Sequence, residues 1–471
     1  MKLSIHTKNF IYLFSGDIGS RFLGFLAIVY LARILGTSGF GIINIGLAIL
    51  SYALIVGDTG LQFLGVREAA GSKKNLPEFS GQLINARSLL SLITLIIGIV
   101  AIYAFVNSPE LKTVSIIYLI YILPAAFMLD WYFQGKKQID VVAMGKFIGI
   151  LCYLIFILLF VHTREDLVNI AWGWTFGILV NAIILWIIFF RKKYSITLHW
   201  HPQKFKDLLK IALPLGIATI ISQVVLQFPA IFLGLVSTTS EVGLYSASFK
   251  LIGLLLFFDR AFYVIFYPTI SHYFQKSPEK LQYVFTNVLK LTVTFALFFG
   301  LASILCADFL IKIVFTSSFK EAIPIFQILV GYFILTLISS VFTFTLIGMN
   351  LEKIYTKSII TGMIMFIISI MILGNYFGTT GAAAAIVIYI FSSLIIQVAG
   401  LKPHLKLNHI RLVALPILMT LIVFLPILVL INLSLILKLI IATAICLPLI
   451  TWLSGVGIKE IKYLKRALIW N

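Results

Sequence analysis

The sequence predicts an all-α polytopic membrane protein with about 14 transmembrane helices. Three observations predict this fold class. The chain of 471 residues is 61% hydrophobic and only 11% charged, whereas soluble domains are about 45–50% apolar and about 25% charged. The apolar residues form runs that are long enough to cross the hydrocarbon core as helices, which takes about 20 residues each. Basic residues collect in alternate linkers between those runs, as the positive-inside rule describes.

The predicted spans are separated by short linkers, so consecutive helices are expected to pack antiparallel. In chain order they are Phe10–Leu35, Phe40–Gly65, Ser80–Val106, Val114–Phe133, Val141–Val161, Leu167–Phe190, Leu208–Val236, Val242–Ile270, Leu281–Cys306, Ala322–Met349, Tyr355–Phe377, Thr380–Leu401, Ile410–Ile431 and Leu433–Val456.

The charge distribution predicts the orientation. The chain has 36 Lys and Arg against 17 Asp and Glu, a net charge of +19. With the N-terminus in the cytoplasm, roughly 24 basic residues fall on the inner side and about five on the outer side. Both termini are therefore expected in the cytoplasm, and the protein is expected in the cell membrane. The first apolar run is too long for a signal peptide and is expected to remain as the first span. The surplus charge fits anionic lipid headgroups, and no polar domain is available for nucleic acid.

An internal similarity predicts two lobes. Thr37–Gly41 reads Thr-Ser-Gly-Phe-Gly, and Thr239–Gly243 reads Thr-Ser-Glu-Val-Gly. Both segments lie between the first and second spans of a six-span half, as in transporters that are built from repeats. The expected organisation is an N-terminal lobe at 1–190, a cytoplasmic linker at 191–207 and a C-terminal lobe at 208–401. Two six-helix lobes would surround a central cavity, with an accessory helix pair and tail at 402–471.

Charged residues inside the predicted spans indicate the pathway, because charge in a membrane is costly and usually functional. Arg21, Arg260 and Lys290 lie deepest, and basic groups outnumber acids near the midplane. A basic cavity fits an anionic substrate such as a pyrophosphate or an acidic sugar. The predicted substrate-binding residues are Arg21, Arg87, Lys250, Arg260 and Lys290. Arg33, Asp58, Asp130 and Lys146 lie nearer the helix ends, where anchoring at the interface competes with lining a cavity.

Two carboxylates are candidates for ion coupling. Asp17 precedes Arg21 by four residues, so the two share a helix face and can pair. Such a pair either neutralises itself or provides a group that titrates during transport. Asp259 is the second candidate, because its neighbour Arg260 points about 100° away from it and pairs less well.

Catalytic and cofactor motifs are not found in the sequence. Gly145-Lys146 lacks both the upstream Gly and the following Ser or Thr of a phosphate-binding loop, which excludes ATP-driven pumping by this chain alone. The short outer loops leave little room for the domains of a membrane glycosyltransferase or polymerase, so no enzymatic activity is predicted. His199-Trp200-His201 has no further ligand nearby in sequence, so no metal site is expected. Cys152, Cys306 and Cys446 are far apart in apolar runs and indicate no disulfide framework.

Several short motifs are distributed along the chain. They are Leu31–Gly36 followed by Gly39–Gly41, Asp58–Leu61 followed by Gly65–Glu68, Trp131–Gly135, Leu213–Leu215 and Glu241–Ala247. In their order and spacing, these motifs resemble those of the polysaccharide-repeat (Wzx-type) flippases of the multidrug/oligosaccharidyl-lipid/polysaccharide exporter superfamily. The resemblance covers nearly the whole chain.

The resemblance implies a transporter that flips a polyprenyl-pyrophosphate-linked oligosaccharide outward by alternating access, without catalysis and without a cofactor. It also implies membrane lipids and polysaccharide polymerases or glycosyltransferases as partners. One region departs from the family, since Gln227–Ala230 lacks the acidic or Asn residue that often precedes the pair corresponding to Leu233-Gly234. Ion coupling at that position is therefore in doubt for this chain.

Two alternatives remain open at the level of the sequence. A multidrug or cation antiporter of the same superfamily would need an acidic cavity, which the basic surplus disfavours. A membrane glycosyltransferase or polymerase would need a large acidic outer loop. Mapping the outer loops would test the second alternative.

Overall fold

The computed structural model describes residues 5–71, 75–198 and 202–405, together with Pro448. The predicted spans Ile410–Ile431 and Leu433–Val456 and the segment His199–His201 lie outside the described residues. Every regular element of the described part is a helix, which confirms the all-α fold class.

The helices vary from five to 54 residues, and short 3₁₀ turns at Arg164–Asp166 and Ser317–Phe319 join some of them. In chain order they are α1 (Ile5–Asp58), α2 (Leu61–Ala70), α3 (Leu76–Phe105), α4 (Pro109–Ile120), α5 (Ile122–Ala126), α6 (Asp130–Gly135), α7 (Ile139–Phe160), α8 (Leu167–Arg191), α9 (Pro202–Val236), α10 (Thr239–Leu255), α11 (Phe257–Lys276), α12 (Pro278–Leu305), α13 (Ala307–Val314), α14 (Ala322–Gly348) and α15 (Glu352–Leu401).

Two of these helices each contain a break at a glycine. Gly36 in α1 has φ 64° and ψ −172°, and Gly378 in α15 has φ 54° and ψ −127°. Only glycine adopts such angles without steric strain. The breaks coincide with the predicted separations of spans one and two and of spans eleven and twelve. Among the described residues, nine helices are long and apolar enough to cross a membrane, with these two counted unbroken. The predicted total of about 14 stays a prediction.

The chain divides into two compact units, Met1–Gly243 and Leu244–Asn471. The first unit includes α9, which packs against α1, α2 and α3. The predicted linker at 191–207 is held within this unit as well. The Thr197 amide donates to the Pro77 carbonyl oxygen at 3.1 Å, and Lys204 forms an ion pair with Glu78. The division into six-span lobes, by contrast, stays a prediction.

The linkers of the first unit gather at two ends in the way that the charge pattern predicts. At one end, Lys192 Nζ donates to Gln138 Oε1 at 2.8 Å, and Gln138 Nε2 donates to Tyr194 Oη at 2.9 Å. At another, Arg164 Nη2 donates to Ser38 Oγ at 3.3 Å. Linkers predicted to share a side of the membrane therefore contact one another.

Large apolar side chains are exposed along the long helices. Such contiguous exposure marks an interaction surface in a soluble protein, whereas in lipid it is the ordinary condition of a spanning helix. Together with the apolar spans, it identifies a multi-pass membrane protein. Examples from α3, α7, α8 and α15 are Ile97, Phe105, Leu159, Phe190 and Tyr376.

The motif Trp131–Gly135 forms α6 and packs the core of the first unit. Trp131 and Phe133 are fully buried, and the Trp131 ring lies so close to Gly65 of α2 that a Cβ at this glycine would be 2.7 Å from the ring. At the other end of the helix, a Cβ at Gly135 would lie 2.7 Å from the Val66 carbonyl oxygen. Small residues therefore permit the close contact of α2 with α6, and this contact places the start of α6 beside the cavity described below.

Candidate functional site

A cavity of about 400 Å³ opens inside the first unit, among α1, α7, α8 and the segment that joins α4 to α6. We call it the polar cavity, because charged, amide and aromatic side chains make up much of its lining. Those side chains are Ser20, Arg21, Tyr121, Asp130, Lys146, Tyr153, Trp174 and Asn181, and Met128, Gly149, Ile150, Gly177 and Ile178 complete the wall.

Helical spacing and two glycines bring α7 and α8 together at this wall. Lys146 and Tyr153 are separated by two turns of α7, and Trp174 and Asn181 by two turns of α8, so each pair shares a face. Gly149 and Gly177 lie between the members of the two pairs. A Cβ at Gly149 would be 2.7 Å from the Gly177 carbonyl oxygen, and one at Gly177 would be 2.8 Å from that of Gly149.

Asp130 is the carboxylate of the polar cavity. It begins α6, directly after the irregular segment at 127–129, and its charged neighbours are Lys146 and Arg87. Its Oδ1 atom is buried, and no described residue donates a hydrogen bond to it. The helical path is therefore interrupted directly before the carboxylate that lines the wall.

Arg87 lies behind this wall, where one ion pair and two hydrogen bonds fix its guanidinium group. Its Nε forms an ion pair of 3.0 Å with Asp58 Oδ1. Nη1 donates to the Met128 carbonyl oxygen at 3.0 Å and Nη2 to that of Ala125 at 3.2 Å. These contacts use much of the donor capacity of the guanidinium. They also hold the irregular segment before Asp130 in place.

Aromatic rings form the flat part of the wall. Tyr121 stacks on Trp174 with centroids 6.5 Å apart and planes at 27°, and Tyr153 meets the same indole edge-on at 5.0 Å. Trp174 stays partly exposed to the cavity. The site therefore offers an apolar face beside its charged groups.

The predicted site residues are not all found in one place. Of the predicted substrate-binding set, Arg21 lines the polar cavity and takes part in a further interaction. Arg87 does not line the cavity, but it interacts with two lining residues, through charge with Asp130 and through a hydrogen bond with the Met128 carbonyl oxygen. Lys250, Lys290 and Asp259 belong to the second unit. The side chains of Asp17 and Arg260 lie outside the described residues, so all of these roles stay predictions.

Three lining residues are not predicted as site residues from the sequence. Asp130 and Lys146 were placed near helix ends, where interface anchoring competed with a cavity role, and Asn181 was not singled out. A usable signal was present in the paired i, i+7 polar and aromatic residues of spans five and six, each pair centred on a glycine. The signal becomes specific only when the two helices are known to face each other.

The two similar segments of the sequence contact each other within the first unit. Ser38 Oγ and Thr239 Oγ1 are 2.9 Å apart, and Ser240 Oγ donates to Thr37 Oγ1 at 2.7 Å. The glycines repeat this reciprocity, because Gly41 lies against the Thr239 carbonyl oxygen and Gly243 against that of Thr37. The contact is therefore reciprocal. The Ser of each segment contacts the Thr of the other, and the last Gly of each segment lies against a carbonyl oxygen of the other.

A second cavity of the first unit, of about 390 Å³, has a different lining. We call it the apolar cavity. Aliphatic side chains such as Ile45, Ile49 and Ile102 dominate its wall, together with Phe105, and it contains no Asp, Glu, Lys or Arg. Its few polar groups belong to Asn107, Ser108 and Thr239 at one end.

The described residues contain no group of three or more His, Cys, Asp or Glu side chains that could hold a metal ion. Cys152 and Cys306 are free thiols, and Cys446 lies outside the described part of the chain.

Comparison with known proteins gives one similar sequence and several similar folds. The Staphylococcus aureus capsular polysaccharide biosynthesis protein CapF is 23% identical over 401 residues, which are 82% of this chain and 97% of the relative. A structure of the lipid II flippase MurJ in an inward closed conformation matches with a TM-score of 0.76 and 16% identity, over 98% of this chain and 100% of that chain. An inward-facing multidrug resistance MATE family transporter of the MOP superfamily matches with a TM-score of 0.64 and 15% identity, over 82% and 93%. The two structural matches show a shared fold.

The family itself follows from a sequence model. The model described as polysaccharide biosynthesis protein matches residues 6–274, more than half of the chain. This match includes every residue of the polar cavity and confirms the resemblance that the short motifs indicate. The chain belongs to the polysaccharide biosynthesis protein family.

Proposed function

We propose that this protein is a flippase that moves a polyprenyl-pyrophosphate-linked oligosaccharide across the cell membrane for surface polysaccharide biosynthesis. The observation that carries the proposal is the polar cavity, a basic and aromatic-walled space enclosed by apolar helices. A hydrated glycan and its phosphates cannot cross hydrocarbon unaided, whereas such a cavity replaces water with charged and hydrogen-bonding groups. The similarity to CapF, a capsular polysaccharide biosynthesis protein, supports the pathway, and the similarity to MurJ, a lipid II flippase, supports the activity.

The predicted substrate-binding residues receive roles within this proposal. Arg21 binds the head group in the polar cavity, and Arg87 positions Asp130 from behind the wall. Lys250, Arg260 and Lys290 bind the same anionic head group from the second unit at another stage of alternating access. Asp17 or Asp259 titrates and couples transport to an ion gradient, in keeping with the usual role of carboxylates within membrane helices.

The proposal includes an orientation and partners. The basic linkers of the first unit, with Lys192 and Lys204 among them, face the cytoplasm together with both termini. Membrane lipids surround the apolar helices, and the polyprenyl tail remains among them during transport. A glycosyltransferase supplies the substrate on the inner side, and a polysaccharide polymerase consumes it on the outer side. The protein itself carries out no catalysis.

Deletion of the gene tests the proposal. Cells without the protein should lose surface polysaccharide and accumulate the lipid-linked oligosaccharide on the inner leaflet, where a membrane-impermeant glycan-modifying reagent cannot reach it. Expression of the wild-type chain should restore export, and Arg21→Ala should not, although it inserts normally. Lys312→Ala serves as a matched control, because Lys312 pairs with Asp308 on the exposed surface of α13.

The same deletion separates the alternatives. An antiporter would change the sensitivity of the cells to cationic drugs and leave the lipid-linked intermediate in its normal distribution. A glycosyltransferase or polymerase would leave a shortened or unpolymerised glycan on the outer leaflet. The proposed function fails if the intermediate reaches the outer leaflet at the normal rate without this protein.

A further inference from the structure

The helices α6, α8 and α14 end in the same backbone turn. Each turn has one residue in the left-handed conformation, and these residues are Lys137, Lys193 and Asn350, with φ of 58°, 56° and 57°. In each turn the amide of the following residue donates to the carbonyl oxygen five residues earlier, at 2.8, 3.2 and 2.8 Å. This pattern is the Schellman motif, whose left-handed position usually holds Gly and sometimes Asn.

The turn itself does not require lysine. The two residues at the turn are Lys136-Lys137 after α6, Lys192-Lys193 after α8 and Met349-Asn350 after α14. A left-handed conformation is uncommon for lysine, whereas asparagine adopts it several times more readily. A cation is also favourable at the negative end of a helix dipole, yet α14 ends in this turn without a basic residue in its last turn. Neither the backbone nor the dipole therefore accounts for two consecutive lysines in both turns of the first unit.

The two lysine-bearing turns are joined side by side. Lys192 Nζ donates to Gln138 Oε1 at 2.8 Å, and Gln138 Nε2 donates to Tyr194 Oη at 2.9 Å. The Tyr194 ring lies 5.2 Å from the ring of Tyr132, which is buried. Hydrogen bonds and aromatic packing therefore hold the two lysine pairs next to each other. We call Lys136, Lys137, Lys192 and Lys193 the lysine surface.

The charge of the lysine surface is not compensated within the described part of the chain. Its lysines are exposed or partly exposed, and none of them forms an ion pair with a described residue. Asp140, in the first turn of α7, is exposed and pairs with none of them. Other cations of the linkers predicted to share this side do have partners, since Arg67 pairs with Glu68 and Lys204 with Glu78. The lysine surface therefore has four positive charges available for an anion from outside the chain.

An exposed apolar face of α8 leads away from the lysine surface. Ile183, Ile187 and Phe190 are all exposed, and their spacing places them on one side of the helix. Phe190 comes two residues before the lysine pair that follows α8. A partner that contacts both features must combine negative charge at the membrane surface with hydrocarbon beneath it. An anionic phospholipid has both, whereas free phosphate or an acidic segment of a soluble protein would contact the lysines alone.

We infer that the lysine surface binds the headgroup of an anionic phospholipid of the bilayer, whose acyl chain lies along the exposed face of α8. The lysines act as point charges on the headgroup phosphate. In the orientation proposed above, this lipid belongs to the inner leaflet. The inference concerns a surface outside the polar cavity and does not depend on the transported substrate.

Lipid binding to the full-length protein in non-ionic detergent tests the inference. Native mass spectrometry measures the affinities for phosphatidylglycerol and for phosphatidylcholine with the same acyl chains, whose choline cancels the phosphate charge. Phosphatidylglycerol should bind at least about tenfold more tightly, because each lysine near an anionic lipid contributes about fivefold. Equal affinity for the two lipids would overturn the inference. Displacement of phosphatidylglycerol by a tenfold excess of inorganic phosphate or of hexaglutamate would also overturn it, because the site would then recognise a soluble anion.

Variants assign the binding to the lysine surface. Lys137→Asn combined with Lys193→Asn introduces the residue that holds this position after α14, so both turns should still form. The affinity for phosphatidylglycerol should fall about 30-fold, with that for phosphatidylcholine unchanged. Lys312→Gln combined with Lys320→Gln removes the same charge from exposed residues elsewhere and should leave the affinity as in the wild type.

Thermal unfolding without added lipid shows whether the asparagine variant is folded. If it melts below the wild type, Lys136→Gln combined with Lys192→Gln repeats the test without changing the left-handed positions, and the same loss of affinity is expected. An unchanged affinity for phosphatidylglycerol in a folded variant of the lysine surface, or an equal loss in the Lys312 and Lys320 control, would overturn the assignment.

Discussion

The two cavities of the first unit have nearly the same volume, about 400 Å³ and about 390 Å³, but opposite chemistry. The polar cavity contains Arg21, Asp130 and Lys146, and the apolar cavity has no charged lining residue. The two cavities therefore differ in the charge of their linings and not in their size. The difference is that a helix break admits Asp130 to one wall, whereas uninterrupted apolar helix faces form most of the other.

The two cavities also differ in what holds their walls together. Behind the polar cavity, the ion pair of Arg87 with Asp58 joins α3 to the end of α1. Around the apolar cavity, the surrounding contacts are those of a hydrophobic cluster that contains Ala53, Leu95 and Leu119. The stability of a wall that is held by an ion pair and the stability of a wall that is held by apolar packing are expected to respond differently to substitution.

The largest effect is expected for the wall of the polar cavity. Arg87→Met should destabilise the protein by about 3–5 kcal/mol, because it leaves the Asp58 charge without its partner. Asp58→Asn together with Arg87→Met should recover part of this loss. Thermal unfolding in detergent measures both variants, with Lys312→Met of an exposed pair expected to cost less than about 1 kcal/mol. Equal melting of Arg87→Met and Lys312→Met would contradict a supporting role for the buried pair.

A charge placed in the apolar cavity should not create a second recognition site. Ile49→Lys should destabilise the protein by about 2.5–3.5 kcal/mol, the typical cost of a lysine near the centre of a membrane helix. It should not restore export to the Arg21→Ala variant, because the apolar cavity has no carboxylate and no Trp in its lining. Restored export would show that charge alone makes a site. Ile49→Val provides the apolar control.

Forcing apart the two helices that form a wall of the polar cavity should cost less stability but impair transport. Gly149→Ala places a methyl group 2.7 Å from the Gly177 carbonyl oxygen, and overpacking of this kind costs about 1–3 kcal/mol. Because α7 and α8 must separate, Lys146 and Asn181 move apart and export should fall. Gly253→Ala is the matched control, since its Cβ would meet no atom within 4 Å. If Gly149→Ala exports as well as Gly253→Ala, the close contact of α7 with α8 is not needed for transport.

The smallest effect is expected at the contact of the two similar segments. Ser240→Ala removes the hydrogen bond to Thr37 Oγ1 and should cost about 0.5–1.5 kcal/mol. Ser38→Ala should cost at least as much, because it removes the equivalent contact with Thr239 and also the hydrogen bond from Arg164. Thermal unfolding of the two single variants and the double variant measures these costs. A smaller loss in Ser38→Ala than in Ser240→Ala would contradict the reciprocity of the contact.

Much of the fold could be predicted from the chain because lipid imposes simple constraints. Each span must be apolar, about 20 residues long and hydrogen-bonded internally, so the spans are visible as runs. The breaks at Gly36 and Gly378 fall where the predicted spans separate, and the basic linkers that should share a side contact one another. These features depend on residues that are near in sequence or on a solvent that acts on every residue alike.

The candidate site was predicted only in part, since depth along a span does not determine which neighbour a side chain meets. Arg21 was selected for its depth and does line the polar cavity. Arg87 was selected as a basic residue within the third predicted span, yet it pairs with Asp58 behind the wall. Asp130 and Lys146 appeared to be near helix ends, but an irregular segment and the close contact of α7 with α8 bring them into one space.

The sequence by itself determined a helical membrane protein, its breaks, its alternating linkers and the pair of similar segments, because hydrophobicity and backbone hydrogen bonding act along the chain. Only the tertiary structure decided that Asp130, Lys146 and Asn181 share a cavity while Arg87 supports it. This arrangement depends on where two glycines allow helices to touch and on which face each helix packs against its neighbour. The packing of these faces balances close contact against the desolvation of polar groups among residues that are far apart in sequence, so it cannot be deduced from any single span.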